Sequence, residues 1–237
     1  MPSSEPTPSP TPHEPGEAPA RTGRPPRLSL ERIVAAAHHL LARDDASKLT
    51  MRRLAKEVGS TPMALYHHVR DRDDLLLRLL DDVAASMPRP VLPTEPGERV
   101  VTLFTALRDH LAAHAWTVEV LATDALMARR ALWFVEAVLD SAAACGLPPE
   151  EAVRLYRQLW YFTVGELQVR ATAARRRADQ APSHRDQVFA ELAEDCATHP
   201  RLAAVAPRWQ ELTAQDTYED GLRDLLAGRL GRRVAGG

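Results

Sequence analysis

The chain has 237 residues, 45% of them hydrophobic and 26% charged, with a net charge of −2. The charge is unevenly placed: residues 21–80 hold twelve Lys/Arg against seven Asp/Glu, a net of +5, which leaves −7 for the remainder. An anionic partner is therefore expected for the N-terminal part alone; two distant cysteines, Cys145 and Cys196, argue against a disulfide scaffold and for a reduced, cytoplasmic chain, and no apolar run reaches the ~18 residues of a membrane span.

Residues 1–27 are dominated by Pro, Ser, Thr and Glu and show no apolar periodicity. Such a composition buries too little surface to offset ordering entropy, so a disordered tail is expected. It lacks the apolar core of a signal peptide. The tail ends in a basic arm, Arg21 to Arg27, whose Gly-Arg-Pro triplet has the form of an AT-hook core. Arg24 and Arg27 are placed either to enter a minor groove or simply to attract phosphate.

The segment 28–87 reads as four helices. Ser29 caps a first helix with Ile33, Val34, Ala37, Leu40 and Leu41 inward. Thr50 caps a short second helix, Leu49 and Leu54 form a hydrophobic staple across its start, and Gly59 stops it. Thr61 and Pro62 restart the chain for another short helix, Pro62 to Val69, in which Leu65 and Val69 face inward. Asp71 and Asp74 open a longer helix with Leu75, Leu76, Leu79, Leu80 and Val83 as its buried stripe. A helix of two turns does not hold together alone in water. Two of them, propped by longer helices and separated by a Gly turn, make a helix-turn-helix whose second short helix enters a DNA major groove.

The stretch LTMRRLAKEVGSTPMALYHHVRDRDDLL resembles the DNA-binding domain of the tetracycline-repressor (TetR) family of bacterial regulators. Its bearers are Leu49-Thr50, Leu54-Ala55, Gly59, Leu65-Tyr66, His68-Val69 and Leu75-Leu76, in fixed register across roughly residues 28–85. The resemblance implies a homodimer of all-helical subunits on a palindromic operator. Thr50 and Arg52 would touch phosphates, Thr61, Met63, Ala64 and His67 would face the groove, and Tyr66 and Arg72 would clamp the backbone on either side. Met63 and Ala64 cannot hydrogen-bond bases, so direct readout leans on thymine methyls and on His67. Tyr66 as a core residue with a wet hydroxyl, and His67 and His68 as solvated helix-end residues, are the competing readings. Arg53 and Lys56 read as surface charges.

Beyond a Pro-rich connector at 87–96, the chain from Glu98 onward reads as a larger helical domain, 98–231. Val101, Phe104, Leu107 and Leu111 form one stripe; Leu132, Val135, Val138 and Leu139 form another. A long helix follows from about Pro149 to Arg177, with Val153, Tyr156, Leu159, Tyr161, Phe162 and Leu167. A break comes at Pro182, a further helix carries Val188, Phe189 and Leu192, and Asp216 with Glu219 opens a last helix through Leu230. Cys145-Gly-Leu-Pro-Pro-Glu-Glu-Ala152, Phe162 to Gly165, His199 to Leu202 and Tyr218 to Leu226 resemble, more loosely, the ligand-binding and dimerisation domain of the tetracycline-repressor class. That likeness implies a four-helix bundle across a dimer axis, built from the long and the last helix. Gly165 inside the long helix costs about 1 kcal/mol against Ala, and either a close helix approach or chance explains it.

Three of the four tryptophans, Trp116, Trp133 and Trp160, lie in the first two-thirds of this domain with Phe104, Phe134, Tyr161 and Phe162. They line an apolar cavity or pack an ordinary core. His110 and His114 stand four apart, a spacing that can grip a metal, but no third ligand is near in sequence. His110 is the better candidate for a polar group facing a ligand, with Glu166 and Gln168 beside it. No P-loop, dinucleotide-binding glycine pattern, HExxH or G-x-S-x-G is present, so neither enzyme nor cofactor is expected. The expectation is an all-α chain: an N-terminal helix-turn-helix domain and a larger effector-binding and dimerisation domain. Its expected function is ligand-responsive transcriptional regulation, as a repressor released from operator DNA by an apolar or aromatic small molecule. A DNA-binding regulator or architectural protein without an effector is the other reading.

Overall fold

Short-range signals set the N-terminal helices. The computed structural model describes residues 28–123, 126–178, 184–194 and 198–235, and these are helical with no strand among them. The tail, with Arg24 and Arg27, and also Pro182 and Cys196 lie outside the described residues. Ser29 caps α1 (Leu30–Leu41) by accepting from the Arg32 N–H at 3.3 Å. After a 3₁₀ turn, Ala46–Lys48, Thr50 caps α2 (Met51–Glu57) through the Arg53 N–H at 3.2 Å. Gly59 then takes φ +67, the left-handed backbone that only glycine adopts freely. Thr61 caps α3 (Pro62–Tyr66), with Pro62 in the first turn, and Asp71 caps α4 (Arg72–Ser86). The second short helix is shorter than its pattern predicts. The chain turns after Tyr66, and the Val69 N–H still reaches the Leu65 carbonyl at 3.0 Å, so Val69 is buried as expected.

The larger part follows as α5 (Pro96–Ala112), α6 (Ala115–Leu121), a 3₁₀ turn Arg129–Ala131, α7 (Leu132–Ala144) and α8 (Pro149–Ala178). It closes with α9 (His184–Glu194), α10 (Pro200–Val205), a 3₁₀ turn Ala206–Arg208, α11 (Trp209–Ala214) and α12 (Tyr218–Ala235). The core formed by α5, α7, α8 and α12 centres on Leu103, Phe104, Val138, Leu155, Leu159 and Leu222. The expected stripe of α5 is buried, but those of α7 and α8 are rotated. On α7, Phe134, Val138, Ser141 and Ala142 point inward while Leu132 is half exposed. On α8, Ala152, Leu155, Leu159, Thr163 and Leu167 point inward, leaving Val153 and Tyr161 outside. Both helices carry apolar residues around most of their circumference, so periodicity alone does not choose the face.

The two cores interlock. Trp116 and Val120 of α6, with Ala128, pack into the cluster built by α1–α4, while Met87 at the end of α4 packs into the larger core. A polar seam fastens α5, α8 and α12. Tyr218 Oη bonds to Thr163 Oγ1 at 2.7 Å and donates to the Phe104 carbonyl at 3.2 Å, and Arg223 forks Glu98 at 2.8 and 3.0 Å.

Candidate DNA-binding face and effector cavity

The helix-turn-helix splits into an anchored side and an open side. Leu54, Ala55, Leu65 and Val69 are buried beneath α1 and α4. Met63 is 70% and Tyr66 47% exposed, and Thr50, Arg52, Thr61 and His67 are also exposed, with Ala64 partly so. Thr50 and Thr61 each accept from a first-turn N–H, which leaves the hydroxyl proton of each free to donate to a phosphate. Among the described residues Arg52 and Lys56 make no ion pair, whereas Arg53 is held by Asp44 and Arg43 by Glu57. The positive charge left for phosphates on α2 is therefore that of Arg52 and Lys56; the sequence pattern gave no reason to separate Lys56 from Arg53.

Arg72 departs from its expected place on the backbone of DNA. Its Nε donates to the Leu49 carbonyl at 2.9 Å and its Nη2 to the Ala46 carbonyl at 2.7 Å. The guanidinium thus ties the start of α4 to the turn before α2. Asp74, buried, accepts from the Arg70 N–H at 3.0 Å and lies 3.5 Å from Arg78. That backbone N–H, followed by the two arginines, holds its carboxyl below the usual carboxylate range despite burial.

Between α4 and the larger core lies an apolar cavity of about 90 Å³. Leu80, Val83, Ala84 and Met87 form its α4 wall; His110, Phe134, Val135, Tyr156, Arg157 and Trp160 line the rest. His110 Nε2 sits 2.8 Å from the Val83 carbonyl, and a carbonyl only accepts, so Nε2 carries the proton. In the neutral ring Nδ1 is then an acceptor. His114, at the junction of α5 and α6, is turned back on the end of α5, Nδ1 to the His110 carbonyl at 2.9 Å, and no group of three metal-ligating side chains occurs among the described residues.

Of the side chains expected at a ligand, His110, Phe134 and Trp160 meet here. The others lie elsewhere. Phe104 is fully buried behind Phe134, edge to face at 5.3 Å. Trp116 belongs to the N-terminal core. Trp133 lines a neighbouring cleft. Phe162 stacks on Tyr218 at 5.4 Å, and Glu166 pairs with Arg170. Gly165 has open space beside it, and the close helix approach is at Gly221 instead, where an added Cβ would lie 2.6 Å from Phe162 Cζ.

The family model for the bacterial regulatory proteins of the tetR family matches residues 33–79, and that for the tetracyclin repressor-like C-terminal domain matches residues 90–230. The chain belongs to the TetR family. An HTH-type transcriptional regulator of Saccharopolyspora erythraea is 30% identical over 211 residues, covering 86% of this chain and 85% of the relative. The repressor DrrR1 of Streptomyces coeruleorubidus is 31% identical over 153 residues, covering 63% of this chain and 56% of the relative. Among solved structures, Streptomyces coelicolor ActR in complex with actinorhodin superposes with a TM-score of 0.70 at 28% identity, covering 86% of this chain and 98% of ActR. As a TetR-family member the protein is a DNA-binding transcriptional regulator and not an enzyme.

In this TetR-family chain the two parts are joined by a contact that the sequence reading missed. Glu119 of α6 accepts from the Ala46 N–H at 2.9 Å and from the Ser47 N–H at 3.0 Å. The carboxylate caps the same 3₁₀ turn whose Ala46 carbonyl is held by Arg72. The available signal was one acidic residue in an otherwise uncharged seven-residue helix, AWTVEVL.

Proposed function

We propose that the protein is a homodimeric repressor acting in the cytoplasm, bound to a palindromic operator and released when an apolar or aromatic effector enters the cavity. One observation carries the reading: α4 is a wall of the cavity at its C-terminal end and the support of the helix-turn-helix at its N-terminal end. A cavity of about 90 Å³ is smaller than the ~150 Å³ that accommodates benzene. An aromatic effector therefore has to push its walls apart, and its binding favours the displaced arrangement of α4. The complex of ActR with actinorhodin and the naming of DrrR1 as a repressor support effector response and repression.

A surface stripe supports the dimer. Tyr161, Gly165 and Val169 stand four residues apart along α8, with Tyr161 and Val169 exposed, and α12 presents exposed Ala227, Gly228 and Gly231. Among the described residues, nothing lies within 4 Å of a Cβ added at Gly165, Gly228 or Gly231. Small residues let a second pair of helices approach closely.

The proposed DNA-binding set is Thr50, Arg52, Thr61, Met63, Ala64, Tyr66 and His67. Arg72 acts from behind, and the sequence adds Arg24 and Arg27 of the basic arm to the proposed set. Selection of operator sites from random duplexes tests the reading. Enriched sites should be palindromes with half-site centres about 10 bp, or a multiple, apart. Tyr66→Ala should weaken binding to every sequence, while Met63→Ala or His67→Ala should change the preferred bases. Failure to enrich any site, or Tyr66→Ala at full affinity, overturns it.

A further inference from the structure

Beside the apolar cavity lies a second, polar cleft of about 400 Å³ lined by Ala84, Ala85, Met87, Arg89, Arg129, Arg130 and Trp133. Ala84 and Met87 line both spaces, so the two share a wall. Three arginines and no carboxylate line this cleft. Several arginines of the larger core are paired with carboxylates: Arg108 meets Asp216, Arg223 meets Glu98 and Arg229 meets Glu151. Arg89, Arg129 and Arg130 form no ion pair among the described residues. Asp81 is engaged with the backbone here, accepting from the Arg130 N–H at 3.1 Å, which fixes the turn that carries Arg129 and Arg130. Arg89 lies over the Trp133 ring, 4.9 Å from its centroid, so one guanidinium is oriented by an aromatic face.

Like charges gathered in a concavity repel one another, and an anion relieves them. Guanidinium forks match the two oxygens of a carboxylate and hold them bidentately. We infer that this cleft is the anion subsite of the effector cavity, and that the effector is an aromatic acid. Its apolar body enters between α4 and α7, and its acidic group is gripped by Arg89, Arg129 and Arg130. The inference rests on the effector reading above and adds the class of molecule. It also places the acid on the turn that Asp81 of α4 holds, so drawing in the arginines pulls on the same helix that the apolar body displaces.

The test compares two dyes that differ by one charged group: 8-anilinonaphthalene-1-sulfonate and the neutral N-phenyl-1-naphthylamine. Fluorescence titrations use the full-length protein, the double variant Arg129→Gln/Arg130→Gln and the single variant Arg89→Gln, each checked for native helicity by circular dichroism. The Kd of the sulfonate dye should rise about tenfold in the double variant, the loss expected for a charge-assisted grip. The neutral dye should change less than about twofold, and salt at about 0.5 M should weaken the sulfonate dye alone. Val135→Trp, which fills the apolar cavity, should abolish binding of both. If both dyes bind through the cavity but the arginine variants leave the sulfonate dye unchanged, or weaken both dyes equally, the anion subsite is wrong and the effector cavity stands. If neither dye binds the unaltered protein, or Val135→Trp leaves both unaffected, the effector reading itself falls and takes the subsite with it.

Discussion

Arg72 shows how a single side chain changes meaning once its partners are visible. By sequence it is an arginine just after the recognition helix, the place for a phosphate clamp. In the structure its guanidinium bonds two carbonyls, those of Ala46 and Leu49, 26 and 23 residues earlier. The expected consequence is structural. Arg72→Ala should destabilise the protein by about 2 kcal/mol, the worth of charged hydrogen bonds to a part-buried backbone. Thermal melts would register this, while the salt dependence of operator binding would keep its slope, because no phosphate contact is lost. Arg72→Lys should not rescue it, since one ammonium replaces a fork that spans two carbonyls. A reduced salt slope in Arg72→Ala would restore the phosphate role. The caps were legible from sequence for the opposite reason. Ser29, Thr50, Thr61 and Asp71 act within three residues, so the donor and its acceptor are read in one glance at the chain.

At the scale of elements, the long helices are legible, the short α6, α10 and α11 are not, and neither are the buried faces of α7 and α8. α7 and α8 are apolar on several sides, and the buried face is decided by what lies across from it. The seam between α8 and α12 is an instance. Phe162 lies flat on Tyr218 and covers Gly221, a position with no Cβ. Gly221→Ala should drive the new methyl into the Phe162 ring and cost about 1–3 kcal/mol, as overpacking does. Phe162→Leu in the same chain should recover part of that loss, giving a coupling of opposite sign in a double-mutant cycle. Simple additivity in thermal or denaturant unfolding would show that the two side chains do not meet. Of the aromatic residues read as ligand-facing, Phe162 and Phe104 are taken by packing of this kind, and Phe134 and Trp160 remain at the cavity.

At the scale of the whole molecule, the first and last helices of the larger core are joined by charge. Arg223 holds Glu98, chiefly by direct hydrogen bonding, and the Tyr218 N–H and then Arg108 hold Asp216; both carboxyls titrate below their ordinary range. A carboxyl with a depressed folded pKa adds stability above its unfolded value, and that stability is lost as pH falls through the folded value. These contributions should therefore be full at neutral pH and be lost progressively as pH falls below about 4 and through the folded values. Melting temperatures measured from pH 7 downward should fall at the acid end, and Glu98→Gln should flatten that decline without altering the neutral plateau's shape. An unchanged acid slope in Glu98→Gln would remove the pair from the linkage. The division into two parts was visible in the Pro-rich connector, but their mutual grip was not, because Glu119 and the turn it caps are 73 residues apart. That grip bears on how such proteins are recombined. A chimera that grafts this DNA-reading half onto another relative's sensor inherits an uncapped 3₁₀ turn unless an acidic side chain is supplied at the position of Glu119, so successful grafts should be those that carry it across.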